Sequence, residues 1–494
     1  MMHGTSDVFR WVRLSVSFSC LLTAVGLLAR PTDVLFNFDT EDYTADYPND
    51  AIRDLANLLT EEGVIGQFYV VGYLAQRLQH FGRTDVIKAL KPHIIGSQSL
   101  YHSRHPALCE YTDIPDAELA YRRAMREEAE CVGMLKSVFD LEHVDAFCPP
   151  GNSVSYAAME AYVDLGMRFY VAGGSWGYDM DGFATGVTGM APSRGTPLGL
   201  WYFNMYQIPY LHSRTFYLEQ MLIPPSPEPD YKAVLDKLAG LGYCGFYMHP
   251  NQAVCLRFWD DLNYREGKNA RPWGEWIVSP RRRSEDTETI YRRLREFIRA
   301  IRADSRFRIT NLREIGAGIK PRRTLRRGDL AAVRRELGTE FGPISNPGSY
   351  SVSDVFLAVV GFLRGDAEYH PGRVFGFLSE PTGVVSPVRV RSDDIRQAAI
   401  DMDVSRYLPA SIQVGERRIG PADFLYAALE ILTTGAEETM VTPRDQLGSF
   451  SHVQELERHV IAGLDKWCVH SPEFTDKYLS ERLRYQLWTV RHEE

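Results

Sequence analysis

The sequence predicts an α/β fold: a barrel of seven or eight parallel strands over residues 31–318, a basic helix and linker over 319–348, and a mostly helical domain over 349–494. Three observations lead there. Apolar, strand-like runs alternate with helical stretches from Asp33 onward, at the spacing of βαβ units. Polar residues able to do chemistry stand just after several of those runs, where a parallel barrel gathers its chemistry on one rim. The alternation then stops near Gly318.

Taken in order, VLFNFD reads as the first strand. NDAIRDLANLLTEEG reads as a helix that Asn49 or Asp50 can cap and Gly63 can end. GQFYVV is the second strand, RTDVIKALKPH a helical link and IIGSQSL the third strand. From Pro115 to Asp140 apolar residues recur at helical spacing, through Leu119, Met125, Ala129, Val132 and Leu135. VDAFC, RFYVAGG, WYFNMYQIP, CGFYMHP and FRITNL read as further strands. Between them SYAAMEAYVDLG, YKAVLDKLAGLG and Glu285 to Asp304 read as helices. Beyond the Pro/Gly/Ser/Asn-rich linker from Phe341 to Gly348, SVSDVFLAVVGFL and GPADFLYAALEIL echo one another. The arginines between Arg322 and Arg335 fit a solvated helix face.

The chain has 494 residues and a formal charge of −9, so it lacks the basic balance of a nucleic-acid binder. Its seven Cys form no CxxC pair and no zinc-finger spacing. Arg10 and Arg13 precede an apolar run from Leu14 to Ala29. Residues 1–30 therefore fit a secretory signal peptide or a short membrane anchor, with a secreted or cell-envelope location and a cytoplasmic one as the alternative.

Four segments carry the chemistry. Asp39, Glu41 and Asp42 follow the first strand; Gln98, His102 and His105 follow the third; Cys148, Pro149, Pro150 and Gly151 follow VDAF; His249, Pro250 and Asn251 follow GFYM. With these residues the stretch from Asp33 to Leu312 resembles the polysaccharide deacetylase family, carbohydrate esterase family 4. VLFNFDTEDY is similar to its first motif, IGSQSLYHSRHP to its metal-binding motif and YMHPN to its late histidine motif. The resemblance implies a distorted (β/α) barrel and a divalent cation (Zn, Co, Mn or Mg) used to hydrolyse N- or O-acetyl groups on a carbohydrate. It implies Asp39 as catalytic base and His249 as general acid. Glu41, Asp42, Gln98 and His102 are the implied metal ligands, and Pro149, Pro150, Trp176 and Asn251 the implied substrate contacts.

That chemistry needs an activated water, a stabiliser for the developing oxyanion and a proton for the leaving group. A cation supplies the first two, and a carboxylate and an imidazole handle the protons. Two positions depart from the family pattern. Gln98 stands where a histidine is usual, and its neutral amide oxygen is a harder donor than imidazole. Cys148 stands where an arginine usually orients the catalytic carboxylate, and a thiol cannot form a bidentate ion pair. His105, three residues after His102, offers a different ligand set with Asp42 or Glu41. Three functions remain open: a metal-dependent carbohydrate deacetylase, a catalytically impaired homologue that binds carbohydrate without turnover, and a cytoplasmic amidohydrolase acting on small nitrogenous molecules.

Overall fold

The computed structural model describes residues 30–152, 155–172, 176–178, 184–187, 200–209, 218–264, 271–448, 474–475 and 477–493. Its centre is a ten-stranded sheet. The strands are β1 (Thr32–Thr40), β2 (Gln67–Val70), β3 (Ile94–Ser97), β4 (Ala146–Phe147), β5 (Phe169–Ala172), β6 (Leu200–Tyr202), β7 (Met205–Pro209), β8 (Tyr243–Met248), β9 (Phe307–Ile309) and β10 (Arg491–His492). The path runs β8-β1-β2-β3-β4-β5-β7-β6-β10. Every pair from β8 to β7 is parallel. Strand β9 also pairs parallel with β1, through Thr32–Val34, on the edge that β2 takes over at Asn37. These strands form a distorted α/β barrel that stays open between β8 and β10 among the described residues.

Strand periodicity decides which face each residue of β1 meets. Val34, Phe36 and Phe38 enter the large core shared with the helices. Leu35 joins the smaller barrel core with Tyr69, Tyr243, Tyr247 and Cys148. Asn37 lies on that same inner side, where it accepts a hydrogen bond from Tyr69 Oη at 3.0 Å. Asp39 follows in register and reaches the inner side at the strand's C-terminal end.

Helices cover the outer face, and their ends follow local chemistry. The helix Ala117–Phe139 starts at Asp116, whose carboxylate accepts from the Leu119 N–H at 3.0 Å. The helix Tyr156–Asp164 is capped in the same way by Ser155, and Tyr231–Leu238 by Asp230. The first helix, Pro48–Glu61, departs from expectation: neither Asn49 nor Asp50 caps it, because Pro48 sets φ at its first position. Gly63, at φ +60°, follows its end.

WYFNMYQIP is a hairpin rather than one strand. Phe203 and Asn204 both have positive φ, 49° and 62°, and turn the chain from β6 into β7. No glycine advertises that turn. Contacts from distant segments hold it instead: Phe203 N–H donates to Thr489 Oγ1, and Asn204 bonds the carbonyl and the N–H of Val374.

The C-terminal region builds one plan twice. The helices Val352–Arg364 and Pro421–Thr434 are the two echoed segments. Each carries an aspartate in its first turn, Asp354 or Asp423, that accepts the N-cap N–H of Ser351 or Gly420. Each unit is closed by an antiparallel strand pair, Leu325–Arg326 with Glu368–Tyr369 and Val388–Arg391 with Glu438–Val441. The basic segment keeps a solvated face, with Arg323, Arg326, Arg327 and Arg335 exposed, while Arg322 pairs with Asp354 and Arg334 with Glu430. The chain end then returns to the barrel, where β10 adds antiparallel to β6. Trp488 is fully buried against Phe341, Phe356 and Phe377 within the C-terminal region, and Phe203 of the barrel meets Phe375 across the two regions.

Residues 1–29, which include nearly all of the signal-like segment, lie outside the described residues. Among the described residues no helix is long and apolar enough to cross a membrane.

Candidate functional site

Four segments that are far apart in sequence meet at the C-terminal ends of the strands. Asp39 is the last residue but one of β1, with Glu41 and Asp42 just beyond the strand. His102 lies in the loop after β3, Cys148 directly after β4 and His249 directly after β8. All six are buried.

Glu41 is the hub. Its Oε2 lies 2.7 Å from His102 Nε2, and its Oε1 lies 3.5 Å from His249 Nε2 and accepts from Trp259 Nε1 at 3.0 Å. Burial pushes its carboxyl pKa up, but the neighbouring charges of His102 and His249 outweigh that, and the net displacement is downward. The histidines respond in kind. Burial works against the charged His102, yet Glu41 outweighs it and raises the pKa. The pKa of His249 rises to about 9, because Glu219 and Glu41 together overcome its burial.

The loop that presents His102 is backbone-strained. Ser99 and His102 both have positive φ, 64° and 52°. Local bonds hold them there: Ser99 Oγ accepts from the His102 N–H at 3.1 Å, and Ser97 Oγ from the Ser99 N–H at 3.2 Å. Strain of this kind costs about 1–3 kcal/mol per residue and persists where surrounding structure enforces it.

The expected site residues divide by position. Asp39, Glu41 and His249 place ligand atoms within 4.8 Å of one another. His102 adjoins the group through Glu41. Asp42 is committed locally: Oδ1 accepts from the N–H and hydroxyl of Thr44, and Oδ2 from Asn251 Nδ2 at 3.2 Å. Burial raises its pKa despite those bonds. Asn251 is thereby a direct partner of Asp42, and its Oδ1 is buried without a hydrogen bond. Gln98 is buried, and its Oε1 likewise has no hydrogen-bond partner. Cys148 Sγ lies 3.5 Å from Asp39 Oδ1. Pro149 is buried, and Pro150 opens a short turn in which Gly151 takes φ +57°. His105 turns away, with Nδ1 at 2.6 Å from Glu110 Oε2. Trp176 stands in a short strand paired with Ala184–Val187; its side chain lies outside the described residues.

Sequence reasoning missed four residues. Glu219, on the helix Leu218–Leu222, holds His249 through both its backbone N–H and Nδ1. Tyr247 places its hydroxyl 2.6 Å from His249 Nε2. Trp259 and Asp260, from the helix Trp259–Tyr264, reach Glu41 and His102. Only the last pair left a trace, in the aromatic and acidic segment RFWDDLNY.

The donor set suits a divalent cation. Two carboxylates and an imidazole converge, and the unpartnered amide oxygen of Gln98 is a polar atom that a cation or its water would satisfy. Half-buried aromatic rings border the group: Trp276 packs on Tyr43 and Trp259, and Tyr73 on Tyr43 and Tyr101.

No family model matches the chain, and no curated protein matches it in sequence. Several solved structures are similar to it. One is a polysaccharide deacetylase candidate from Mycobacterium smegmatis, at 15% identity over 58% of this chain and 90% of that one, with a TM-score of 0.36. Another is a 4-alpha-glucanotransferase from Thermococcus litoralis, at 12% identity over 59% and 41%, with a TM-score of 0.39. A third is a CE4 family pseudoenzyme from Bacillus anthracis, at 13% identity over 45% and 57%, with a TM-score of 0.25. Among solved structures, then, the chain is similar to polysaccharide deacetylase and CE4 family proteins.

Proposed function

We propose that this chain is a metal-dependent hydrolase that removes N- or O-linked acetyl groups from a carbohydrate polymer or oligosaccharide. One observation carries the reading: Asp39, Glu41, His102 and His249, from three different strand ends, form one buried acid–imidazole cluster. The motif resemblance supports the choice of acetyl transfer to water. The half-buried rings of Tyr73, Tyr101 and Trp276 support a sugar, whose apolar faces stack on aromatic side chains.

Glu41 and His102 would hold the cation, with Gln98 Oε1 as a further oxygen donor and Asp42 behind them. When bound, such an ion polarises the acyl carbonyl and acidifies a water molecule. Asp39, next to Glu41, accepts the proton from the attacking water. His249 delivers a proton to the departing nitrogen or oxygen. Glu219 keeps Nδ1 of that imidazole engaged, so that Nε2 faces the reacting group. Burial of the whole cluster excludes bulk water and strengthens each of these interactions.

A second reading is a carbohydrate-binding homologue without turnover. It rests on Gln98 in place of an imidazole and on Cys148 in place of a cationic partner for Asp39. Acetate release separates the two. The hydrolase liberates acetate from acetylated chito-oligosaccharides or acetylated xylan, and a chelator stops it. A chain that binds those sugars yet releases no acetate with Zn²⁺, Co²⁺, Mn²⁺ or Mg²⁺ supplied is the binder. The N-terminal segment supports action outside the cytoplasm, on an envelope or extracellular carbohydrate.

A further inference from the structure

We propose that Trp259 is a positioning residue for the metal site: its indole occupies Oε1 of Glu41, so that the carboxylate meets a cation through Oε2 alone. The inference rests on the metal-site reading above and deepens it, by assigning how Glu41 is presented and which ions that presentation favours.

Glu41 lies just beyond β1, and its two oxygens have different surroundings. Oε2 is 2.7 Å from His102 Nε2. Oε1 accepts from Trp259 Nε1–H at 3.0 Å, while His249 Nε2 stands farther off at 3.5 Å. An indole nitrogen only donates, so the polarity of this bond is the same whatever the charge on Glu41. Both side chains are buried, Trp259 completely. A hydrogen bond is stronger in such a setting than in water.

The indole is itself held from several sides. Its ring packs on Tyr43 with centroids 5.0 Å apart, on Trp276 at 5.5 Å and on His102 at 5.8 Å. Asn263, buried one turn later in the helix Trp259–Tyr264, fastens that helix to the segment carrying Trp276. Its Nδ2 donates to the carbonyls of Trp259 and Ile277 at 2.9 and 3.1 Å, and its Oδ1 accepts from the Ile277 N–H at 2.9 Å. A ring locked by packing and backbone bonds gives its N–H one direction. The glutamate is softer, because the last torsion of its side chain is broad and two-fold. The indole selects one setting of that torsion.

A carboxylate turned this way offers one oxygen beside one imidazole. That suits Zn²⁺, which takes few ligands at short distances. Ca²⁺ collects about six to eight oxygens and gains from carboxylates that give both of theirs. With Oε1 withheld, the site discriminates against Ca²⁺. Removal of the N–H frees Oε1 to join Oε2 on the ion, which costs Zn²⁺ its preset ligand and serves Ca²⁺.

The test is calorimetric titration of the full chain with Zn²⁺ alone and with Ca²⁺ alone, in the parent and in Trp259→Phe. The variant keeps a ring and removes the N–H. Its Zn²⁺ binding should weaken by about tenfold or more. Its Ca²⁺ binding should hold or tighten, so that the ratio of the two affinities changes. A role in packing alone would weaken both ions alike, and that result overturns the proposal, as does unchanged affinity for both. Should Trp259→Phe fail to fold, a crystal structure of the Zn²⁺-loaded parent decides. Oε2 alone on the ion, with the indole still bonded to Oε1, is the expected result; both oxygens on the ion overturn it. A parent chain that takes up neither ion overturns the metal-site reading itself, a different result.

Discussion

Glu219 holds His249 at two points: its Oε1 accepts the backbone N–H at 2.5 Å and lies 2.7 Å from Nδ1. The contact brings a short helix that precedes β8 against the residue that follows that strand. It also places a carboxylate behind the imidazole on the side away from Glu41. The proton on Nδ1 is thereby committed, and Nε2 is the nitrogen left to face Glu41, Tyr247 and a reacting group.

Replacing Glu219 by Gln keeps the size and removes the charge. The protonated form of His249 then loses its strongest support, so its pKa falls from about 9. As an acid, His249 is active while protonated, so the alkaline limb of the kcat profile should move to lower pH. The rate itself should drop on the order of 10²-fold with KM little altered. A profile that keeps its alkaline limb would show that His249 is not the proton donor.

Asp39→Asn tests the base. The amide keeps the shape of the side chain and cannot take a proton from water. Acetate release should fall about 10²- to 10⁴-fold. Sugar binding, followed by calorimetry, should persist. A variant as fast as the parent would move the base to another residue.

Much of the fold was legible because apolar runs and helical spacing agree with the barrel's own periodicities. The strand beginning at Thr32, the long helix to Phe139 and the strand ending at Met248 all follow from pattern alone. The hairpin at Phe203–Asn204 did not, because its left-handed turn is imposed by Thr489 and Val374 rather than by glycine. The site divides in the same way. Residues at strand ends, such as Asp39, His102 and His249, announce themselves by what precedes them. Glu219 and Asp260 sit on helices, where an acid looks like any other polar helical residue until the tertiary fold buries it.

Glu128 gives a pH-dependent stability that is independent of the site. It is buried in the long helix and accepts hydrogen bonds from Tyr162 and Tyr111. Burial raises its pKa from 4.5 to about 8. The folded state thus keeps a proton that the unfolded chain releases, and stability falls as pH rises from about 4.5 to 8, by roughly 1.4 kcal/mol per unit at most. Glu128→Gln should flatten that fall, as read from urea midpoints at pH 5 and pH 8. Parallel curves for the two proteins would contradict it.

Arg406 fastens the C-terminal region to the barrel. Its guanidinium bonds Glu160 at 2.6 Å and Asp164 at 2.7 Å, and Tyr407 also donates to Glu160. Arg406→Ala leaves the buried Glu160 carboxylate with the tyrosine alone. Because Arg406 is partly exposed, the expected loss is moderated by solvent, at about 2 kcal/mol. Thermal unfolding should show it, and Glu160→Gln in the same background should recover part of it. An unchanged melting temperature would mean that apolar contacts such as that of Phe203 with Phe375 carry the attachment.

The central claim is that carboxylate and imidazole groups from separate strands surround one divalent cation, with Glu41 at the hub. Elemental analysis of the full chain after equilibration with Mn²⁺ or Zn²⁺ and removal of free ion tests it most directly. The parent should retain about one ion per chain, and Glu41→Gln should retain almost none. Equal metal content in both proteins, or none in either, would contradict the account.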